Sequence, residues 1–244
     1  MKNKIALLLF TLSFSVFSQS KGFVGLQTGV YTFTTTYQNA MGQRLMDYDF
    51  AFNAGYGLIG GYSIDDVHTI RGMFGITPGG SRRVGGGLLY DNRIEYTSFN
   101  AEYIHTPDWF TGNTKIYFGG GFGVYSARQL NTTYFIQGKQ VDFFNYMEYN
   151  SPNPHRDFFV DQVEKNSGVI PDGDFFKRYD VRFSSLIGIK TQINERFALN
   201  LEMVSMLSLM DVNAKEWRLE RRNGDYKRSR NLIGGIQLGF TAQI

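Results

Sequence analysis

Six charged residues stand at alternate positions within otherwise apolar, extended stretches: Arg71, Glu102, Lys115, Arg182, Lys190 and Glu202. Ile70, Phe74 and Ile76 oppose Arg71, and Phe197, Leu199, Leu201 and Met203 alternate with Ala198, Asn200, Glu202 and Val204. Charges of both signs on one face have two physical outcomes. Facing water they are ordinary surface residues over a core on the other face. Enclosed, they must pair with one another and with trapped water, because an unpaired buried charge is strongly penalised. The second outcome predicts a network in which Glu102 and Glu202 pair with some of Arg71, Lys115, Arg182 and Lys190.

Other residues of chemical type carry less. The histidines are His68, His105 and His155. His155 has Ser151 and Asp157 nearby, the types of a nucleophile and its base, but such a set works only when an element positions it. No periodic segment holds residue 155, so it reads as a solvent-exposed loop histidine. Asp172 and Asp174 flank Gly173, with Asp157 and Asp161 close by, yet the spacing of a calcium loop is absent and solvated turns account for them. Gly55, Gly57 and Gly60 spell G-x-G-x-x-G, but Tyr56, Leu58 and Tyr62 carry a strand alternation through the motif, where a dinucleotide site needs a turn into a helix. There is no cysteine, hence no disulfide framework or thiolate metal site. The expectation is no catalytic residue, no cofactor and no metal.

The elements that must position the six charges are strands. In residues 231–244, NLIGGIQLGFTAQI, Leu232, Ile236, Leu238 and Phe240 fall on one face, and Gly235, Gln237, Gly239 and Thr241 on the other. The pattern recurs, giving eight strands at roughly 22–34, 51–62, 67–77, 92–104, 114–127, 179–192, 197–210 and 230–243. Short connections, SIDD at 63–66, TPDWFTGNT at 106–114 and INE at 193–195, alternate with long ones near 35–50, 78–91, 128–178 and 211–229. Eight strands with apolar-out, polar-in alternation and this loop asymmetry predict an all-β, eight-stranded antiparallel up-and-down transmembrane β-barrel with a long third extracellular loop and both termini in the periplasm. A soluble barrel of the same strand number has the opposite polarity, with an apolar interior. Tyr62, Tyr103, Trp109 and Phe110 are expected at the periplasmic lipid interface, and Tyr31, Phe33, Tyr96 and Tyr125 at the outer one.

Residues 1–18, MKNKIALLLFTLSFSVFS, have the basic start, short apolar core and small residues of an export signal, leaving 19–244 as one barrel domain. Loss of Lys2 and Lys4 lowers the formal net charge of +3 by two, which removes charge as an argument for nucleic acid. The slightly negative mean hydropathy is compatible with a barrel, whose alternation hides its lipid-facing half in the average.

The third long connection carries Phe143, Phe144, Tyr146, Phe158, Phe159, Phe175 and Phe176. Disordered segments are poor in aromatics, so this loop is read as a cap over the mouth or a docking surface for a partner. Arg218, Arg221, Arg222, Lys227, Arg228 and Arg230 make the last loop basic enough to meet lipopolysaccharide phosphates, although Glu216, Glu220 and Asp225 offset part of that charge.

The export signal followed by Gln19, the eight strands, the turn INERFALNLE and the ending GGIQLGFTAQI resemble the PorT-like outer-membrane β-barrel proteins of Bacteroidota. The resemblance covers the whole mature chain through loose strand patterns. It implies an eight-stranded outer-membrane barrel. Some members of that family assist a secretion system that exports proteins across the outer membrane. The expected function is therefore non-enzymatic, structural or accessory to a protein export or surface complex. The alternatives are a lipid A-modifying enzyme and a narrow pore. Expected partners are outer-membrane lipid and lipopolysaccharide, with other outer-membrane or periplasmic proteins, and no nucleic acid.

Overall fold

Strict two-residue alternation over a dozen residues leaves a chain one regular solution, pairing edge to edge with strands of the same kind. The computed structural model describes residues 21–36, 52–85, 88–109, 112–137, 139–141, 177–212 and 228–244. Its strands are β1 (Gly22–Thr36), β2 (Phe52–Ser63), β3 (His68–Gly85), β4 (Leu88–His105), β5 (Thr114–Ile136), the short β6 (Lys139–Val141), β7 (Tyr179–Gln192), β8 (Phe197–Ser208) and β9 (Arg230–Gln243). Each pairs antiparallel with its neighbours, and the first and last strands meet from Phe23↔Gln243 to Thr36↔Arg230. With β4 also paired to β5 and β5 to β7, the sheet closes on itself as an eight-stranded barrel, and β6 is a short addition to the far end of β5.

The closed sheet sorts the side chains. On β8, Leu201 and Met203 are 50% and 63% exposed while Glu202 between them is 1% exposed. Leu26, Leu58, Phe74, Phe99, Phe122, Phe183, Ile187, Ile236 and Leu238 are likewise exposed, on strands all round the barrel. A water-soluble exterior does not carry an apolar belt of that extent. It is the exterior of a transmembrane barrel.

Tight turns join the strands at one end. Asp65 Oδ1 accepts the amides of Val67 and His68 at 2.8 and 2.6 Å, and Asn194 Oδ1 accepts those of Arg196 and Phe197, both at 2.9 Å. Asp and Asn are turn formers for this reason. The donated hydrogen bonds favour the ionised form of Asp65 and hold its carboxyl below the usual carboxylate range.

Two expectations need correction. The connection near 78–91 is not a long loop, because β3 and β4 remain paired from Pro78↔Glu95 to Gly85↔Leu88. The third long connection also begins later than 128, since β5 runs to Ile136 and pairs with β6. Above the bilayer a hairpin needs no apolar face, so its Gly- and Arg-rich composition resembles that of a loop. The second correction concerns Tyr31, Phe33, Tyr96 and Tyr125, which are 4% exposed or less and fill the barrel interior. Tyr31 and Phe33 share the inward face of Gln27, and Tyr96 that of Asn100 and Glu102. Alternation, not residue type, decides their side. Tyr62, Tyr103 and Trp109 do face outward at the short-turn end, and Phe110 lies outside the described residues.

Candidate functional site in the barrel interior

Glycine makes the room. Gly119, Gly121 and Gly123 occupy inward positions on β5, and a Cβ at Gly121 would fall 2.0 Å from the Ala101 carbonyl oxygen on β4. The space that side chains would take at Gly119 and Gly123 is occupied instead by Ile104, Leu186, Asn100 and Tyr125.

At mid-height Arg71 and Glu102 are direct cross-strand partners. Arg71 donates from Nε and Nη2 to Glu102 Oε2 at 3.0 and 2.6 Å, and from Nη2 to Glu202 Oε2 at 3.2 Å, while its Nη1 pairs with Glu202 Oε1. Tyr117 Oη donates to Glu202 Oε1 at 2.5 Å, Gln27 Nε2 to Glu202 Oε2 at 3.0 Å, and Ser184 Oγ to Glu102 Oε1 at 3.2 Å. Gln27 also hydrogen-bonds Gln237, which joins β1 to β9 across the seam. One guanidinium thus serves two carboxylates, and neutral donors share the extra negative charge. A carboxylate removed from water persists only with such donors.

Towards the loop end the interior changes character. Arg182 is fully buried, and its Cζ lies 4.1 Å from the ring centroids of both Tyr96 and Tyr125. Its Nε donates to Asp180 Oδ2 at 2.7 Å, and Ser208 Oγ donates to the same oxygen at 2.6 Å. Tyr125 Oη donates to Asn100 Oδ1 at 2.6 Å, and Asn231 Nδ2 donates to Tyr96 Oη at 3.1 Å. Phe33, Ile94, Leu186, Val204, Met206 and Ile233 pack around this group. The interior is therefore an ionic layer below an aromatic and apolar one.

Of the six charges proposed from sequence, the structure joins Arg71, Glu102 and Glu202. Arg182 belongs to a separate cluster with Asp180. Lys115 and Lys190 reach neither carboxylate within ion-pair distance; they line a polar vestibule of about 430 Å³ at the short-turn mouth. Alternation told which side each charge faces, but not which of four cations, on non-neighbouring strands, would reach a given carboxylate. Sequence reasoning missed Asp180, although it sits two residues before Arg182 on the same face. It also missed Tyr117, Gln27 and Ser184 as partners of the carboxylates, and Gln237 as the partner of Gln27.

His68 and His105 are cross-strand partners at the short-turn end, with rings 5.5 Å apart, and His68 Nδ1 hydrogen-bonds Tyr103 Oη. Among the described residues no three His, Cys, Asp or Glu side chains converge as metal ligands. Gly55, Gly57 and Gly60 lie within β2, and β3 follows, so the glycine motif is strand. His155 and the aromatic set Phe143, Phe144, Tyr146, Phe158, Phe159, Phe175 and Phe176 lie outside the described residues.

No protein-family model matches the chain, and no curated protein matches it. Among solved structures, it is similar to Neisserial surface protein A, with a TM-score of 0.50 and 12% identity over 92% of this chain and 98% of that one. Ail, the attachment invasion locus protein of Yersinia pestis, solved with the heparin analogue sucrose octasulfate, aligns at 12% identity over 91% of this chain and 99% of its own, with a TM-score of 0.39. The N-terminal barrel domain of Pseudomonas aeruginosa OprF aligns at 9% identity over 91% and 99%, with a TM-score of 0.38. At these identities the likeness to Neisserial surface protein A concerns the fold, and together with the closed pairing and the apolar belt it identifies the chain as an eight-stranded antiparallel transmembrane β-barrel of outer-membrane type.

Proposed function

We propose that this chain is a non-enzymatic outer-membrane barrel, with both termini in the periplasm, that serves as a rigid base for its surface segments and acts as a structural or accessory component of a protein export or surface complex. One observation carries the reading: the interior is knotted shut. Arg71, Glu102 and Glu202 tie β3, β4 and β8 together across the lumen, and the Arg182 cluster fills the space beyond them. Eight strands leave an interior that side chains can fill, and here they do. A filled barrel supports its loops better than it conducts solutes. The resemblance to PorT-like barrels supports the accessory role in export, and outer-membrane lipid and lipopolysaccharide are the proposed surroundings of the apolar belt.

The test is isolation of the full-length barrel from native membranes in mild detergent, with identification of co-purifying proteins before and after deletion of residues 140–170. A defined partner that is lost on deletion, from a barrel that still folds, is the expected result. Loss of a lipid A modification in His155→Ala, with no partner in either preparation, replaces the accessory reading with an enzymatic one.

A further inference from the structure

We infer that the vestibule at the short-turn mouth is a binding site for a phosphate-class oxyanion held between Lys115 and Lys190. The two lysines are direct cross-strand partners on β5 and β7, and both point inward. Like charges placed opposite one another on adjacent strands repel, and opposite charges are the stabilising choice there. No carboxylate among the described residues relieves them at ion-pair distance. Glu202, the nearest interior acid on the adjoining strand, is already engaged by Arg71, Gln27 and Tyr117. Of the acids lining the vestibule, Asp65 is occupied by the turn amides of Val67 and His68, and Asp66 is an exposed residue of the same turn.

The surroundings fit an oxyanion. Thr106 and the Ser63 and Thr69 hydroxyls, themselves linked at 3.1 Å, line the same space beside the two ammonium groups, and Gln192 keeps one Nε2 proton beyond the one it donates to the Asn194 carbonyl oxygen at 2.6 Å. The volume of about 430 Å³ accepts a phosphate with a small attached group. Further inward the space narrows to about 50 Å³ between Lys190 and Arg71, room for a few waters. An anion entering from the mouth therefore stops at the lysines and does not reach the Arg71 knot. Lysine binds phosphate as a point charge, without the planar match that arginine needs, and a partly enclosed mouth strengthens that attraction relative to open water.

The ligand chemistry has two sources, free or small-molecule phosphate and a lipid headgroup, and two arms of one experiment separate them. The full-length barrel in a zwitterionic detergent is titrated with inorganic phosphate against chloride at equal ionic strength, following heat and unfolding temperature. In parallel it is reconstituted in phosphate-free buffer into nanodiscs with and without phosphatidic acid. Binding of inorganic phosphate, weakened at least tenfold by Lys115→Gln or Lys190→Gln and unchanged by Lys139→Gln at the opposite end, is the expected result. Each of the two vestibule substitutions also raises the unfolding temperature in chloride, because it removes the repulsion. A response confined to phosphatidic acid, and lost in the same variants, keeps the site and assigns it to a headgroup. Phosphate and phosphatidic acid no better than their controls, or binding that survives Lys115→Gln/Lys190→Gln together, overturns the proposal.

Discussion

The interior of this barrel separates two ways of keeping a cation out of water. Arg71 is stabilised by two carboxylates, so its loss leaves both stranded. Arg71→Met is expected to destabilise the barrel by roughly 3–5 kcal/mol, the range for breaking a buried ion pair from one side. Arg71→Met combined with Glu102→Gln and Glu202→Gln removes the charges together and is expected to recover most of that loss. Thermal unfolding in detergent, read by the gel-mobility difference between folded and unfolded barrel, measures both; a triple variant as unstable as the single one contradicts the ion-pair account. Arg182 depends on shape as well as charge, with Tyr96 and Tyr125 each 4.1 Å from its guanidinium carbon. A planar guanidinium stacks on rings where a compact ammonium does not. Arg182→Lys should therefore cost stability although the charge is kept, by about 2 kcal/mol for desolvated cation–π contacts, and equal unfolding temperatures would show that charge alone matters.

At the scale of strands and turns, close approach of β4 and β5 limits what the glycine wall accepts. A Cβ at Gly121 meets backbone at 2.0 Å, whereas one at Gly60 meets nothing closer than 3.5 Å. Gly121→Val should destabilise by at least the ~1–3 kcal/mol usual for overpacking, and Gly60→Ala should be nearly silent in the same unfolding assay. The Asp65 turn carries a pH dependence of known sign. Its folded carboxyl is held below the usual range, so its contribution is present above the ordinary carboxylate value and is lost as pH falls through the depressed one. Amide exchange at Val67 and His68 should therefore accelerate on acidification, after correction for intrinsic rates, and Asp65→Ala should show the faster exchange already at neutral pH. The strands were legible in the sequence wherever lipid lies on one side and the lumen on the other, as on β8, where every second residue from Ala198 to Ser208 is buried. Legibility ended where that contrast ends. Beyond Thr77 the sequence lacks the alternation, although the β3–β4 pairing continues from Pro78↔Glu95 to Gly85↔Leu88. The rim, where the β4–β5 register shifts between Arg93 and Ile94, blurs the two-residue count as well. The outward placement expected of Tyr31, Phe33, Tyr96 and Tyr125 failed because aromatic type was allowed to outweigh face.

For the whole molecule, the strands divide unequally. A bilayer requires strands of only about 9–11 residues, yet β3 and β4 have 18 residues each and β5 has 23. The excess lies at the end remote from the tight turns, so one side of the barrel rises above the rim as a paired sheet. In the proposed orientation that sheet stands outside the cell. Single cysteines replacing Asn39, Asn145 and Asn223 should then react with an impermeant thiol reagent on intact cells, and one replacing Asp65 should not. The opposite labelling pattern inverts the topology without altering the fold. The candidate site was only half legible at this scale: alternation put six charges inside, and long-range geometry divided them into a knot, a ring-stacked arginine and a lysine pair at the mouth.

The knot also sets an order of events. Its members are far apart in the chain, Arg71 and Glu202 by 131 residues and Gln27 and Gln237 by 210. Contacts of such separation form late, after the intervening loops have been closed. Arg71 and Glu102, 31 residues apart on neighbouring strands, can pair as β3 and β4 come together, whereas Glu202 is free to stay hydrated until the seam between β1 and β9 shuts. Once it shuts, water leaves and Glu202 is satisfied by Arg71, Tyr117 and Gln27 together. Expulsion of water and completion of the knot are thus expected to be a single step, and a nascent barrel held open at its seam is expected to keep a wet, charged interior until the last strand arrives.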